Sequence, residues 1–143
     1  MTRFKMFTDK SILEHELVNL RCSEGWGRPE DYESGVVIRS MENYPFVVHV
    51  RDERHKLVGY LSAFGDEVYS IFIGEIIVHY ESKNLGIELK LLQALEDRYS
   101  SGAIYVVPYE RYKEFFIQNG FKLSRKRTTV LIKGASGRPD IMG

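Results

Sequence analysis

Residues 68–100, "VYSIFIGEIIVHYESKNLGIELKLLQALEDRYS", decide the fold. The opening run, Val68 to Val78, is almost continuously apolar, the pattern of a central strand covered on both faces. From Gly86 the period becomes helical: Ile87, Leu91, Leu92, Ala94 and Leu95 share one side, and Lys90, Gln93, Glu96 and Asp97 share the other. Between them lies "HYESKNLGIEL", residues 79–89, a polar loop with a glycine and no proline. A further apolar run, "GAIYVVP" at 102–108, follows the helix, so the two strands should run parallel through a right-handed crossover. This order sets the helix N-terminus at the carboxyl end of a central strand, where ligands of α/β sheets bind. Free loop N–H groups and the helix dipole there favour an anion, most naturally a phosphate or pyrophosphate.

Working outward, "RFKMF" (3–7) reads as a short strand and "DKSILEHELVNLRCS" (9–23) as a helix with Ser11 as its cap. "EGWGRPEDYESG" is loop-like, and Pro29 suits the first turn of a second helix reaching about Met41. "PFVVHV" and "KLVGYLSAF" are rich in β-branched and aromatic residues and flank the polar turn "RDERH", which makes a hairpin. Beyond the second parallel strand, "YERYKEFFIQ" is helical and ends at Asn119 and Gly120. "FKLSR" (121–125) and "TTVLIKG" (128–134) form a closing antiparallel pair, and the remaining tail lacks an apolar pattern.

A chain of 143 residues with 43% apolar and 28% charged residues has the composition of one folded domain. Twenty basic residues balance twenty acidic ones, so no global field gathers nucleic acid or an anionic membrane. The single cysteine, Cys22, has no internal disulfide partner, and no secretion signal is visible, which fits the cytoplasm. No apolar run approaches the roughly 18 residues of a membrane span.

Neither G-x-x-x-x-G-K-[ST] nor G-x-G-x-x-G is present, which removes support for a nucleotide triphosphatase or a dinucleotide-binding dehydrogenase. The ordered set of features resembles the GNAT superfamily of acyl-CoA-dependent N-acyltransferases over about residues 3–133. In that family a central strand leads into a [Gln/Arg]-x-x-Gly-x-[Gly/Ala] loop whose amides hold the coenzyme A pyrophosphate. Glu81-Ser82-Lys83-Asn84-Leu85-Gly86 occupies that frame here. Gly86 agrees, Asn84 stands for the first glycine, and Glu81 stands for the usual glutamine or arginine. Asn tolerates left-handed backbone, so the geometry can survive at Asn84, whereas Glu81 must face solvent or Lys83. "EIIV" stands where main chain pairs with pantetheine, and "FFIQNGF" resembles the family's Phe-Tyr-x-x-x-Gly-Phe helix end.

The resemblance implies a single-domain α/β GNAT-like fold over residues 1–133, with 134–143 as a flexible tail. Its sheet is mixed, mostly antiparallel and twisted, with six to seven strands flanked by about four helices. It implies acetyl-CoA as cofactor, held by Ile76, Ile77, Val78, Glu81, Ser82, Lys83, Asn84, Leu85, Gly86, Ile87, Phe115 and Phe116. The implied acceptor is a primary amine of a small molecule; a homodimer is a further implication. A peptide or protein amine, and a non-catalytic acyl-CoA-binding module, are the competing readings.

Transfer from a thioester to an amine needs an uncharged amine, stabilisation of an oxyanion and a proton for the thiolate. A main-chain N–H near Ile77 or Val78 would meet the oxyanion if the sheet opens there. Glu75, the only charge between Val68 and Val78, is the candidate base, or else a carboxylate satisfied for structural reasons. His79 is a second candidate. The family's proton-donating tyrosine is replaced by Phe116, so Tyr112 or Tyr109 substitutes, or the thiolate leaves unaided. Tyr112 lies one turn before Phe116 and shares its face. Trp26, Tyr32 and Tyr44 are candidate walls of the acceptor pocket. Glu24, Glu30, Asp31 and Glu33 either attract a cationic amine or form a solvated loop. Arg125, Lys126 and Arg127 either assist cofactor phosphates or form an exposed turn.

Overall fold

The computed structural model describes residues 3–124 and 130–133. Its elements are β1 (Lys5–Phe7), α1 (Glu14–Ser23), a 3-10 turn (Pro29–Asp31), α2 (Val36–Glu42) and β2 (Phe46–Arg51). Then come β3 (Leu57–Gly65), β4 (Ser70–Val78), a second 3-10 turn (Tyr80–Ser82), α3 (Ile87–Arg98), β5 (Ala103–Tyr105) and α4 (Glu110–Gln118). The strands form one sheet in chain order, antiparallel from β1 to β4 and parallel between β4 and β5.

This is a mixed α/β sheet of five strands with four helices among the described residues, not the six to seven strands expected. The expected closing pair at 121–125 and 128–134 falls partly outside the described residues; its described parts, 121–124 and 130–133, carry no strand. Arg125, Lys126, Arg127 and the tail at 134–143 lie outside the described residues. No described helix is long and apolar enough to cross a membrane.

Two apolar layers sandwich the sheet. On one face α3 and α4 pack against Phe46, Val48, Val50, Leu61, Ile73, Ile76 and Val78. On the other, Leu17 and Leu20 of α1 and Val37 and Met41 of α2 pack against Val47, Tyr60 and Ile77. Every residue of β2 is buried, so β2 is a doubly covered strand. The five apolar residues read on one side of α3 are its buried ones. Full burial of each large aliphatic among them is worth roughly 1.5–3 kcal/mol.

β4 departs from the expectation of cover on both faces, since Phe72 and Gly74 are exposed while Ile71 and Ile73 are buried. Its register slips: Ser62 pairs with Glu75, but Ala63 pairs with Ile73. Gly74 is therefore an extra residue, a β-bulge that reverses the in–out phase of the strand. Ile71 and Ile73 share the α3 side with Ile76 and Val78, and Glu75 and Ile77 turn to the α1 side. A Cβ on Gly74 would lie 2.5 Å from Tyr44 Cε1, which is why the bulge residue has no side chain.

Four local expectations are corrected. Ser11 does not cap α1; it bonds Asp9, and Glu16 reaches back to the Leu13 N–H at 2.9 Å at the actual helix start. The helix expected from Pro29 to Met41 breaks into a 3-10 turn and α2, divided at Gly35, whose φ of 85° is left-handed. Arg51, assigned to the polar turn, ends β2 with its guanidinium buried against Glu16 and the carbonyls of Ser11 and His55. The buried strand expected at 102–108 is only Ala103–Tyr105, and its first and last residues are exposed.

Candidate functional site

β5 pairs with β4 only at Ser70, Ile71 and Phe72, so the strands part before Glu75. On the other flank, the His79 N–H reaches Val58 O at 2.8 Å, in the same register that pairs Ile77 with Tyr60. By the alternation of antiparallel ladders, Ile77 turns its main-chain groups to β3, and Ile76 and Val78 turn theirs to the edge that β5 leaves open. The expectation of a main-chain contact at Ile77 is corrected accordingly; Val78 has the right orientation.

The loop after β4 is built from main chain. His79 Nδ1 accepts the Glu81 N–H at 3.1 Å, and the Ser82 N–H bonds His79 O at 2.8 Å, which winds the 3-10 turn. His79 is thus a loop-forming residue, and burial holds its pKa below the ordinary value. Glu81 is exposed to solvent, and the Lys83 ammonium sits 4.0 Å from the Tyr80 ring centroid. Asn84 (φ 63°) and Gly86 (φ 80°) are both left-handed, the conformation foreseen for this asparagine. Gly86 is the N-cap of α3 without a side-chain cap, and a Cβ there would meet nothing within 4 Å. The first-turn N–H groups of α3 thus have no side-chain cap, the arrangement that attracts an anion. Ile87 can contribute only its main chain, because its side chain is wholly buried over Gly59.

Glu75 has the buried partner that a strand carboxylate requires. Arg21 of α1 forms an ion pair with it, with side chains 6% and 10% exposed for Arg21 and Glu75. The hydroxyl-bearing Ser62 and Tyr60 share this face of β3. Burial, and then the Glu75 carboxylate, push the Tyr60 hydroxyl far above its ordinary pKa, so it stays neutral. Arg21 was not singled out from the sequence, although its spacing of four from Leu17 puts it on the buried stripe of α1.

At the open edge of β4, the Tyr112 hydroxyl accepts the Val78 N–H at 3.0 Å and donates to Glu24 Oε1 at 3.1 Å. Burial raises the Tyr112 pKa, while the Val78 N–H and Arg111 oppose the rise. Glu24 is ion-paired with Arg111, and its side chain is only 5% exposed. It is thereby separated from Glu30, Asp31 and Glu33, which are exposed as a solvated loop would be. The Trp26 and Tyr109 rings lie 4.6 Å apart, and the Tyr32 hydroxyl donates to Trp26 O, so both aromatics fasten the loop after α1. Tyr44 stands over the bulge at Gly74.

Phe116 is corrected from cofactor contact to core: it is 1% exposed and packed between Phe115 and Phe121. Phe115 is half-buried on the same cluster. Among the described residues no group of three or more His, Cys, Asp or Glu side chains is placed to hold a metal ion.

No family model matches the chain, and no curated protein matches its sequence. Solved structures do share its fold. A GNAT-family acetyltransferase from Streptococcus pneumoniae superposes with a TM-score of 0.75 at 17% identity, covering 94% of this chain and 99% of that one. An aminoglycoside 6′-N-acetyltransferase complexed with coenzyme A gives a TM-score of 0.66 at 18% identity, over 84% and 86% of the two chains. An aminoglycoside acetyltransferase from an uncultured soil metagenomic sample, in complex with trehalose, gives 0.69 at 15% identity over 93% and 95%. At such identities the likeness is one of fold: the chain has the architecture of the GNAT acetyltransferases.

Proposed function

We propose that this protein transfers an acetyl group from acetyl-CoA to a primary amine of a small molecule. The observation that carries the reading is one conjunction: an α3 N-terminus without a side-chain cap, led by left-handed Asn84 and Gly86, beside a strand edge that β5 leaves open at Val78. A diphosphate suits the first feature and an extended amide-bearing arm suits the second. Coenzyme A carries both in one molecule, and the exposed Gly86, where even a Cβ would meet no atom within 4 Å, leaves the helix start accessible to it. When bound, acetyl-CoA supplies the activated acetyl group as a thioester.

The residues divide the work as follows. N–H groups of residues 84–88 would hold phosphate, with Lys83 and Ser82 close in sequence. The edge groups of Ile76 and Val78 would hold the arm by its amides. Glu75 faces the α1 side of the sheet; with Arg21 already answering its charge, it serves the amine as an anchor more than as a proton acceptor. Tyr112 would be the donor of a proton to the departing thiolate, since Phe116 has none to give. Trp26, Tyr32 and Tyr44 border the acceptor side. A small-molecule acceptor is supported by aminoglycoside acetyltransferases among the fold's relatives. A binding module without turnover is the second reading, favoured by the full engagement of Tyr112 with Val78 and Glu24.

Titration calorimetry with acetyl-CoA tests the proposal, with micromolar binding expected. Gly86→Glu should lower that affinity at least tenfold by bringing a carboxylate to the phosphate site and by straining the left-handed backbone at φ 80°, although its Cβ itself meets no atom within 4 Å. Equal affinity in the variant refutes the placement. Thiol release across an amine panel then separates enzyme from binding module.

A further inference from the structure

The Tyr112 hydroxyl stands where a ligand's carbonyl belongs. It takes the Val78 N–H at 3.0 Å, while Arg111 Nη2 makes a long contact of 3.5 Å with Val78 O. Both main-chain groups of this edge residue are thus met by side chains from the start of α4. Glu24 accepts from the same Tyr112 hydroxyl at 3.1 Å, pairs with Arg111 and is itself buried. Trp26 packs on Tyr109 and fastens the same loop to the same helix. An extended arm lying along β4 needs the two Val78 groups for itself, its carbonyl on the N–H and its N–H on the carbonyl.

We propose that Tyr112 and Arg111 plug the edge of β4 in the free protein, that an incoming amide-bearing arm displaces them from Val78, and that Glu24 is the positioning residue that retains both. The inference rests on the reading that the pantetheine arm of coenzyme A runs along this edge. Glu24 suits the task because a buried carboxylate accepts from a hydroxyl and a guanidinium at once. Neither displaced group then loses its last partner, and the exchange swaps one bond to the Val78 N–H for another.

The consequence runs opposite to that of an ordinary contact residue. In Tyr112→Phe no hydroxyl competes for the Val78 N–H, and that N–H lacks a partner until the arm supplies one. Coenzyme A should then bind about tenfold tighter than to the wild type, given what a satisfied buried N–H contributes. Thiol release should fall in the same variant. A tyrosine with a purely structural part would lower stability without raising affinity.

The test is calorimetry with coenzyme A on both proteins, together with amide hydrogen exchange at Val78. Exchange should be slow in the free wild type, faster in free Tyr112→Phe, and slow in both complexes. Free exchange of Val78 in the wild type overturns the plug, and so does unchanged or weaker coenzyme A affinity in a folded Tyr112→Phe. If slow exchange is found but neither protein binds coenzyme A, the proposed function falls and takes the arm with it.

Discussion

Arg21 and Glu75 form the most consequential polar contact of the fold, and removing one member separates its structural from its chemical part. Arg21→Met takes the guanidinium from a carboxylate whose side chain is 10% exposed, in a layer otherwise built of Leu17, Leu20, Val37 and Met41. Breaking a buried pair from one side costs about 3–5 kcal/mol, whereas replacing both members by apolar residues is often neutral or stabilising. For a domain of this size that predicts a fall in Tm of about 10–15 °C for Arg21→Met, and little or no fall for Arg21→Met with Glu75→Met. Urea unfolding followed by fluorescence of the single tryptophan, Trp26, gives the four corners of the double-mutant cycle. A coupling below about 0.5 kcal/mol would refute the claim that the two charges depend on each other. The stable double variant then isolates chemistry: loss of thiol release at unchanged acetyl-CoA affinity assigns the Arg21–Glu75 pair to the amine, and full turnover removes both from the site.

Gly59→Ala would bring a Cβ within 2.5 Å of Ile87 Cγ2, so it should cost about 1–3 kcal/mol and, by shifting the start of α3, weaken acetyl-CoA binding in calorimetry. The Glu16 carboxyl is held at about 2 by its hydrogen bond to Arg51, so its contribution is present above the unfolded value near 4.5 and lost as pH falls toward 2. Glu16→Gln should flatten that acid limb in urea titrations, by about 1–3 kcal/mol allowing for its partial exposure. His49 is wholly buried, and burial and Arg51 lower its pKa, so stability should decline as pH drops below the ordinary histidine value of 6.5. His49→Phe, stacked on Phe7 as the imidazole is, should remove that decline in thermal scans between pH 7 and 5.

What the sequence made legible was whatever repeats along one element. The stripe Ile87, Leu91, Leu92, Ala94, Leu95 defines α3 by period alone, and its flanking strands follow from length and crossover rules. The left-handed Asn84 was legible because few residue types accept that backbone. A slip in pairing leaves no such trace. The run "SIFIGEIIV" is apolar throughout, so nothing in it tells that Gly74 is extra or that Glu75 turns to α1. Residues that act across elements were hidden for the same reason. Glu24 and Arg111 lie 87 positions apart, and each alone reads as a surface charge. Phe116 was misread because position in a motif says nothing about which way a ring faces.

The polar side chains gather along β4 for a reason that lies in its backbone. Main-chain donors and acceptors in a fold must find partners. β4 has a full antiparallel neighbour on one flank, a parallel neighbour for only three residues on the other, and a bulge in between. Past Phe72 its open flank offers N–H and carbonyl groups that no strand among the described residues meets, and at Val78 the side chains of Tyr112 and Arg111 meet them instead. The bulge turns Glu75 into the opposite layer, where only a cation makes its burial tolerable, and Arg21 follows. One irregular strand thus accounts for both polar clusters. Deleting Gly74 would leave Ile73 opposite Ala63 and Glu75 opposite Ser62 in unbroken alternation, so a regular β4 should keep Glu75 on the α1 side with Arg21, and loss of the Arg21–Glu75 coupling in a folded deletion variant would refute this account of the bulge.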